Sequence, residues 1–219
     1  NERNDLADKN PKKLAEMLAI FDAEARKYNV YPIRPDTRAR GAELEAEELK
    51  ARNGRFVFYT PGARRIPYLQ AAPTYGHSFE INAEVDIPAG GADGVIAAQG
   101  GNTGGFSLYI KDGRPVFAHN YFGEEVYSVR GGSPLPAGRS ALKVSYQLAG
   151  DGTAIARLLV GGASVGEVTI PRTQRATSGL NDVYEVGEDS GRPAGSDYTS
   201  PFRFTGGLDK VVVDILPGH

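Results

Sequence analysis

The chain has 219 residues, with 25 Lys and Arg against 27 Asp and Glu and a formal net charge of −2. This near-neutral charge provides no basic surface for nucleic acid or for an anionic membrane, so we predict neither partner. The chain has no cysteine, which excludes disulfides, a thiolate nucleophile and a cysteine-based zinc site and leaves the compartment undetermined.

An N-terminal helix is predicted for residues 11–28. Asn10 can act as its N-cap, and Pro11 is tolerated at the first helical position. Apolar residues, among them Leu14 and Phe21, recur at helical spacing and form one stripe, while charged residues occupy the other faces. The stripe needs a surface to cover it, either the rest of this chain or a domain outside it.

A domain boundary is predicted after this helix. Pro32 and Pro35 cannot continue a helix and indicate an extended linker. The Ala- and Glu-rich stretch that follows has a composition compatible with helix. We therefore divide the chain into a helical segment at residues 1–33, a linker at 34–54 and a β-domain at 55–219.

Short apolar-alternating runs separated by Gly, Asp and Pro turns fill the β-domain and predict antiparallel strands. These runs lie at residues 56–59, 79–87, 95–99, 106–111, 116–121, 126–129, 142–148, 154–160, 165–170 and 208–216. Within the run at 106–111, Leu108 is expected to face a core and Tyr109 to face water. Asp112-Gly113 predicts a type I′ turn after it. The pattern predicts an all-β antiparallel sandwich preceded by an N-terminal α-helix.

Glu84 and Asp86 are the first candidates for chemistry, because carboxylates two residues apart on a strand share one face. A sandwich glycosidase places a pair of carboxylates in this way and needs a further one as acid. No Asp or Glu follows until Asp93, and the chain has no tryptophan to stack on a sugar. We therefore expect a solvated strand face without glycosidase activity.

The three histidines, His77, His119 and His219, are far apart, and none has the spacing of a metal site. Each is expected to be structural or terminal. The chain contains no Gly-x-x-x-x-Gly-Lys-Ser/Thr motif for binding phosphate, so the glycine-rich segments are interpreted as turns.

An acidic loop at residues 185–198 offers several oxygen ligands. Calcium prefers a shell of many oxygens on a flexible loop. Glu188, Asp189 and Asp197 are the predicted ligands, and calcium is the only cofactor predicted. The spacing does not match an EF-hand, and the alternative is a structural loop whose carboxylates accept hydrogen bonds from backbone amides.

A second candidate site surrounds the glycine-rich loop around Asn102. Glycine permits the close approach of a ligand, although a plain turn is the alternative. Asn102, Asn120 and Tyr121 are the candidate ligand-binding residues. Sugar binding also favours aromatic platforms, for which Tyr109 and Tyr127 are further candidates.

Several strings resemble bacterial arylsulfatases of the alkaline-phosphatase superfamily, in their closing helix and in the extension that long members carry beyond it. They are Asn-Pro-Lys-Lys-Leu-Ala-Glu-Met-Leu at 10–18, Phe-Asp-Ala-Glu-Ala-Arg-Lys-Tyr-Asn-Val-Tyr-Pro-Ile at 21–33, Arg-Ile-Pro at 65–67, Ile-Pro-Ala-Gly-Gly at 87–91, Ala-Gln-Gly-Gly at 98–101, Leu-Tyr-Ile-Lys-Asp-Gly at 108–113 and Gly-Glu-Asp-Ser-Gly at 187–191. Together they cover nearly the whole chain. For the β-domain the resemblance implies a concanavalin-like jelly-roll sandwich.

The resemblance also implies hydrolysis of sulfate esters, by a formylglycine made from the first residue of a Cys/Ser-x-Pro-Ser-Arg signature. The chain contains no such signature, so no catalytic residue can be carried over. It would be the inactive C-terminal piece of an arylsulfatase, joined to the catalytic domain of the same polypeptide, in the bacterial periplasm or secreted. Asn1 in place of Met fits this expectation of a processed chain or a fragment.

Two functions of different classes remain open. The first, which we favour at this point, is a structural or assembly domain of a sulfatase, with a homo-oligomer left open. It is motivated by the apolar helix stripe and by sandwich faces without evident site chemistry. The second is a lectin-like module that presents sulfated glycan to the catalytic domain through the residues around Asn102 and Tyr121.

Overall fold

A computed structural model describes residues 5–31, 37–174 and 183–217 of the chain. Pro32 and Pro35, on which the predicted linker depends, and His219 lie outside these residues. The chain divides into two compact units, with the boundary between Leu44 and Glu45. The domain limits drawn from the sequence stay a prediction.

Helix α1 (Pro11–Lys27) confirms the predicted N-terminal helix. Pro11 occupies the first turn, and Asn10 precedes it without forming a side-chain cap. The apolar stripe is solvent-exposed, as shown by Phe21, whose exposed fraction is 50%. Helix α2 (Thr37–Ala51) follows. Neither described helix combines the length and the apolarity that crossing a bilayer would require.

The second unit is an antiparallel β-sandwich. Its strands within the described ranges are β1 (Arg55–Tyr59), β2 (Ile66–Pro67), β3 (Phe79–Ile87), β4 (Gly94–Gly101), β5 (Gly104–Lys111), β6 (Arg114–Tyr121), β7 (Glu125–Arg130), β8 (Gly138–Leu148), β9 (Ala154–Val160), β10 (Ala163–Ile170), β11 (Val183–Val186) and β12 (Gly207–Ile215). The front sheet has the order β1-β12-β3-β8-β9-β10, and the back sheet has the order β2-β11-β4-β5-β6-β7. This architecture confirms the predicted jelly-roll sandwich.

Strand β3 shows why the predicted alternation holds in the front sheet. Phe79 and Ile81 are buried between the sheets, whereas Glu84 and Asp86 are exposed on the outer face. Phe79 stacks on Tyr146 of β8, with 4.6 Å between the ring centroids. Because burying one large apolar side chain contributes about 1.5–3 kcal/mol, the register is fixed, and with it the set of residues on the outer face.

Strands β4, β5 and β6 of the back sheet are buried on both faces, contrary to the expectation for Tyr109. Tyr109 and Ser107 point away from the core, yet they are only 1% and 0% exposed. The covering loop, residues 187–204, lies over them: the Tyr198 hydroxyl donates to Ser107 Oγ at 3.0 Å, and its ring lies 4.9 Å from that of Tyr109. The alternation of apolar and polar residues along β5 could not predict this burial, because the covering loop lies about 80 residues further along the chain.

The β5–β6 hairpin turns as predicted. Asp112 and Gly113 adopt φ of 53° and 70°, the left-handed pair that a type I′ turn requires. Lys111 and Arg114 pair directly across this turn. The short turn fixes the register between β5 and β6.

Candidate functional site

The residues predicted to bind a ligand lie together at one end of the back sheet. Asn120 is buried and both ends of its amide are engaged: Nδ2 donates to the carbonyl of Gly101 at 3.0 Å, and Oδ1 accepts from the N–H of Gly123 at 2.8 Å. Asn102 lies exposed on the turn between β4 and β5. Asn120 therefore ties the end of β4 to the β6–β7 turn, and a ligand role for Asn102, Asn120 and Tyr121 stays a prediction.

The aromatic residues proposed as sugar platforms are poorly placed for stacking. Tyr121 is half-buried, and the Arg172 guanidinium lies over its ring at 4.6 Å from the centroid. Tyr127 is partly buried against the core, and its hydroxyl donates to Glu125. Tyr109 lies under the covering loop. None of these three rings offers a fully open face.

The first predicted calcium ligand, Glu188, lies in an ion-pair cluster. Its Oε2 accepts from Arg64 Nη2 at 2.6 Å and from Arg203 Nη2 at 3.2 Å. The two guanidinium groups neutralise the carboxylate and occupy lone pairs that a cation would need. Glu188 is thus satisfied without a metal.

The other two predicted calcium ligands are also engaged. Asp189 is buried, which raises the pKa of its carboxyl, and its Oδ2 accepts from the Tyr198 hydroxyl at 2.6 Å. Asp197 accepts from the Tyr109 hydroxyl at 2.5 Å and pairs with Arg130. Among the residues that the structure describes, no group of three or more acidic or histidine side chains is arranged to hold a metal. The calcium hypothesis therefore has no geometric support.

The two described histidines lie in different surroundings. His77 Nε2 is 3.7 Å from a carboxylate oxygen of Glu45, and its Nδ1 is 3.1 Å from the Tyr75 carbonyl. His119 is buried between the sheets, and this burial lowers its pKa to about 4. His119 is therefore neutral near pH 7, in keeping with a structural role.

A Gly-x-Ser-x-Gly string occurs at residues 162–166. In hydrolases this pattern marks a nucleophile when it lies on a sharp turn from a strand to a helix. Here Gly162 belongs to the turn of the β9–β10 hairpin, and Ser164 lies exposed within β10. The string forms a hairpin and does not form a nucleophile elbow.

The outer face of the front sheet contains an open groove with a volume of about 530 Å³. It crosses β12, β3 and β8, and Ala141 and Val212 contribute small apolar surfaces to it. Its charged lining consists of Glu84, Asp86, Arg139, Lys143, Asp209 and Lys210. A concave surface with a few convergent polar groups over apolar contacts is typical of a ligand site.

The pairing of β3 with β8 sets the order of side chains along the groove. Glu84 lies opposite Ala141, and Asp86 lies opposite Arg139. Because Ala141 has a small side chain, the space beside the Glu84 carboxylate stays open. The carboxylates of β3 and the guanidinium of β8 therefore border the same concavity.

A β-bulge in β12 adds the third side of the groove. The ladder between β12 and β3 is irregular between Leu208 and Val211. Two residues of β12, Asp209 and Lys210, consequently lie opposite the single residue Glu84. The bulge brings one further carboxylate and one further ammonium group to the groove.

Most of these charged groups have no partner among the residues that the structure describes. Lys143 pairs with Glu80 at 2.7 Å. The side chains of the other charged lining residues make no hydrogen bond or ion pair to any part of the chain that the structure describes. These are Glu84, Asp86, Arg139, Asp209 and Lys210. Their hydrogen-bonding capacity is available to a ligand.

Asp209 supplies in space the third carboxylate that the sequence near Glu84 and Asp86 lacks. All three side chains are exposed. A glycosidase keeps its general acid protonated by placing it in an environment shielded from water. The three exposed carboxylates of the groove have no such shielded environment within the described residues.

Comparisons with known proteins give similarity in structure alone. No protein-family model matches the chain, and no curated protein matches it. The Ruminococcus gnavus IT-sialidase CBM40 matches with a TM-score of 0.52 and 14% identity over 74% of this chain and 93% of that chain. A leech intramolecular trans-sialidase gives a TM-score of 0.49 and 14% identity, over 74% of this chain and 26% of that one. Domains LG4-5 of the mouse laminin α1 chain give a TM-score of 0.45 and 15% identity, over 74% of this chain and 39% of that chain.

The first of these similarities confirms a lectin-like jelly-roll fold for the sandwich. The resemblance to the C-terminal region of arylsulfatases is wrong, because the structure that shares the fold is a carbohydrate-binding module and no comparison supports a sulfatase. Of the strings that suggested a sulfatase, the one at 108–113 ends in a turn and the one at 187–191 contains bends. Turn chemistry recurs in unrelated β-sandwiches. The predicted partner, a sulfatase catalytic domain, accordingly has no support.

Proposed function

We propose that this chain is a non-catalytic glycan-binding module whose ligand lies in the groove of the front sheet. The observation that carries the proposal is a concavity of about 530 Å³ on which acidic and basic side chains converge, most of them unpaired within the described part of the chain. The fold supports the same class, since one structure that shares it is a CBM40 module. The hypothesis of a lectin-like module therefore replaces the hypothesis of a structural domain in a sulfatase.

The chemistry of the groove suits a polyhydroxylated ligand. The carboxylates of Glu84 and Asp86 can each accept hydrogen bonds from two sugar hydroxyls, and Arg139 can donate to hydroxyl or ring oxygens. A hydrogen bond to a charged group contributes about 1.5–3 kcal/mol. Ala141 and Val212 offer apolar surface to the C–H face of a ring. Each class of atom on a sugar has a counterpart in the groove.

The strands also lower the cost of binding. Glu84 and Asp86 lie on the central strand β3, which pairs with β12 on one side and with β8 on the other. Side chains on a rigid sheet lose less conformational freedom on binding than side chains on a loop. A pre-organised site can hold even a strongly hydrated ligand such as a sugar.

An array of neutral, sialylated and sulfated glycans, probed with the full chain, tests the proposal. Calorimetry with the best glycan then compares Glu84→Gln and Arg139→Ala with the parent. We expect each variant to weaken binding by roughly tenfold or more, because each removes a charged hydrogen bond to the ligand.

Arg157→Ala is the matched control, because Arg157 is exposed on β9 in the same sheet, pairs with Glu167 at 2.9 Å and does not line the groove. Its affinity should equal that of the parent. The absence of any glycan binding, or equal affinities for all four proteins, would overturn the proposal.

A further inference from the structure

We infer that the groove binds an uncharged linear oligosaccharide laid across the strands of the front sheet, with Tyr59 of β1 stacking on a sugar residue at one end. This inference rests on the proposed function and specifies its ligand class. It adds a residue outside the groove lining, and it assigns a direction to the bound chain.

Tyr59 presents an open aromatic ring on the groove face. Along β1, Phe56 and Phe58 are buried toward the core at 3% and 8% exposure, whereas Tyr59 is 63% exposed. The ring has no hydrogen bond, aromatic contact or cation–π contact with the residues that the structure describes. An exposed, unpartnered aromatic ring on a rigid strand is suited to stacking on the face of a sugar.

Register places Tyr59 in line with the groove. Tyr59 pairs with Lys210 of β12, Lys210 lies in the bulge opposite Glu84 of β3, and Glu84 pairs with Ala141 of β8. The four residues form one row across four adjacent strands. With neighbouring strands about 4.8 Å apart, this row is roughly 14 Å long, which exceeds the width of a single sugar ring and fits a short chain.

The position of β1 allows the glycan to continue beyond this row. β1 is the edge strand of the front sheet, so no further strand of the described ranges lies beside Tyr59. An oligosaccharide could therefore enter or leave at this edge, while its interior residues contact Glu84 and Ala141. The site is expected to recognise a stretch of chain in preference to a single terminal sugar.

The charges of the groove favour an uncharged glycan. Lys143 is already paired with Glu80, which leaves Arg139 and Lys210 as the cations available to a ligand. Three carboxylates face them, those of Glu84, Asp86 and Asp209. A sulfate or a carboxylate on the ligand would meet an excess of negative charge, because like charges in a shared site repel.

Calorimetry with a neutral glycan series of one, two and four sugar residues tests the inference on the full chain. Affinity should rise with length through the tetrasaccharide. Tyr59→Ala should weaken tetrasaccharide binding by roughly tenfold and leave monosaccharide binding unchanged, whereas Tyr59→Phe keeps the ring and should bind like the parent.

Phe122→Ala is the matched control, because Phe122 is an aromatic residue 45% exposed at the β6–β7 turn of the back sheet. Its affinity should stay at the parent value. Loss of binding in this variant would place the ligand at the residues around Asn120 and overturn the inference.

The remaining outcomes separate the two proposals. If no glycan of any class binds, the proposed function itself fails. If glycans bind through Glu84 and Arg139 but affinity depends neither on length nor on Tyr59, only the inference about the chain fails. A preference for sialylated or sulfated glycans over neutral ones would overturn the assignment of an uncharged ligand.

Discussion

Asn120 is a residue whose role depends on its surroundings more than on its type. Its amide joins the carbonyl of Gly101 at the end of β4 to the N–H of Gly123 in the β6–β7 turn, and it is only 3% exposed. Leaving a buried donor or acceptor without a partner costs about 1–3 kcal/mol. The nearby Asn102 is exposed, and its substitution leaves no buried group unpaired.

We therefore predict that Asn120→Ala lowers the free energy of unfolding by about 2–3 kcal/mol, measured by urea denaturation. Asn102→Ala is the control and should stay within about 0.5 kcal/mol of the parent. Glycan affinity of the folded Asn120→Ala protein should be unchanged. A large loss of affinity with an unchanged unfolding curve would instead make Asn120 a ligand-binding residue.

At the scale of elements, helix α1 differs from the strands because its residues are not part of the sandwich core. The core of the sandwich is built from residues between 56 and 213, whereas α1 belongs to the N-terminal unit. Leu49 of α2 is partly buried against that core. The two helices are therefore expected to contribute differently to the stability of the β-domain.

We predict that deleting residues 1–33 leaves the β-rich circular dichroism spectrum and the cooperative unfolding transition of the sandwich largely intact. Deleting residues 1–54 should lower its stability further, by about 1–2 kcal/mol, because the contact of Leu49 with the core is lost. If the shorter deletion already abolishes the transition, α1 is part of the cooperative unit.

At the scale of the whole molecule, the two sheets have different outer faces. The covering loop shields the outer face of β4, β5 and β6 in the back sheet and adds a second small apolar cluster there, which includes Tyr109 and Tyr198. The outer face of the front sheet keeps exposed charged residues around a groove. This asymmetry separates a face that stabilises the fold from a face that is open to a ligand.

The interior between the sheets also makes the stability of the molecule depend on pH. His119 lies there beside Phe106 on the neighbouring strand, with its ring 5.7 Å from that of Tyr146. Burial lowers its pKa from 6.5 to about 4. The unfolded chain therefore binds a proton more readily than the folded chain between these values, and stability falls as pH falls through this window.

We predict a loss of roughly 3 kcal/mol in unfolding free energy from this residue as the pH is lowered from about 7 to 4, since each pKa unit is worth about 1.4 kcal/mol. Denaturant unfolding of the parent and of His119→Gln at several pH values measures it. The difference in stability between the two proteins should shrink as the pH falls. A constant difference would show that His119 titrates normally in the fold. Asp189, whose pKa burial raises, acts in the opposite direction and is common to both proteins.

Much of the fold could be predicted from the sequence, because strands, turns and helix ends depend on residues that are close together in the chain. The alternation along residues 79–87 gave the burial of β3, Asp112-Gly113 gave a type I′ turn, and Pro11 marked the start of α1. The site could be predicted less well. Asn120 and Tyr109 have the residue types of a sugar site, but one is engaged by backbone groups and the other lies under the covering loop.

The sequence by itself determined that this chain forms an antiparallel sandwich after a helix, since periodicity and turn residues act over a few positions. Only the tertiary structure decided which side chains meet around the groove of the front sheet. Tyr59, Glu84, Ala141 and Lys210 are far apart in sequence and meet through strand pairing and one β-bulge. Pairing between distant strands depends on how two apolar faces fit together around a common core, which no local pattern encodes.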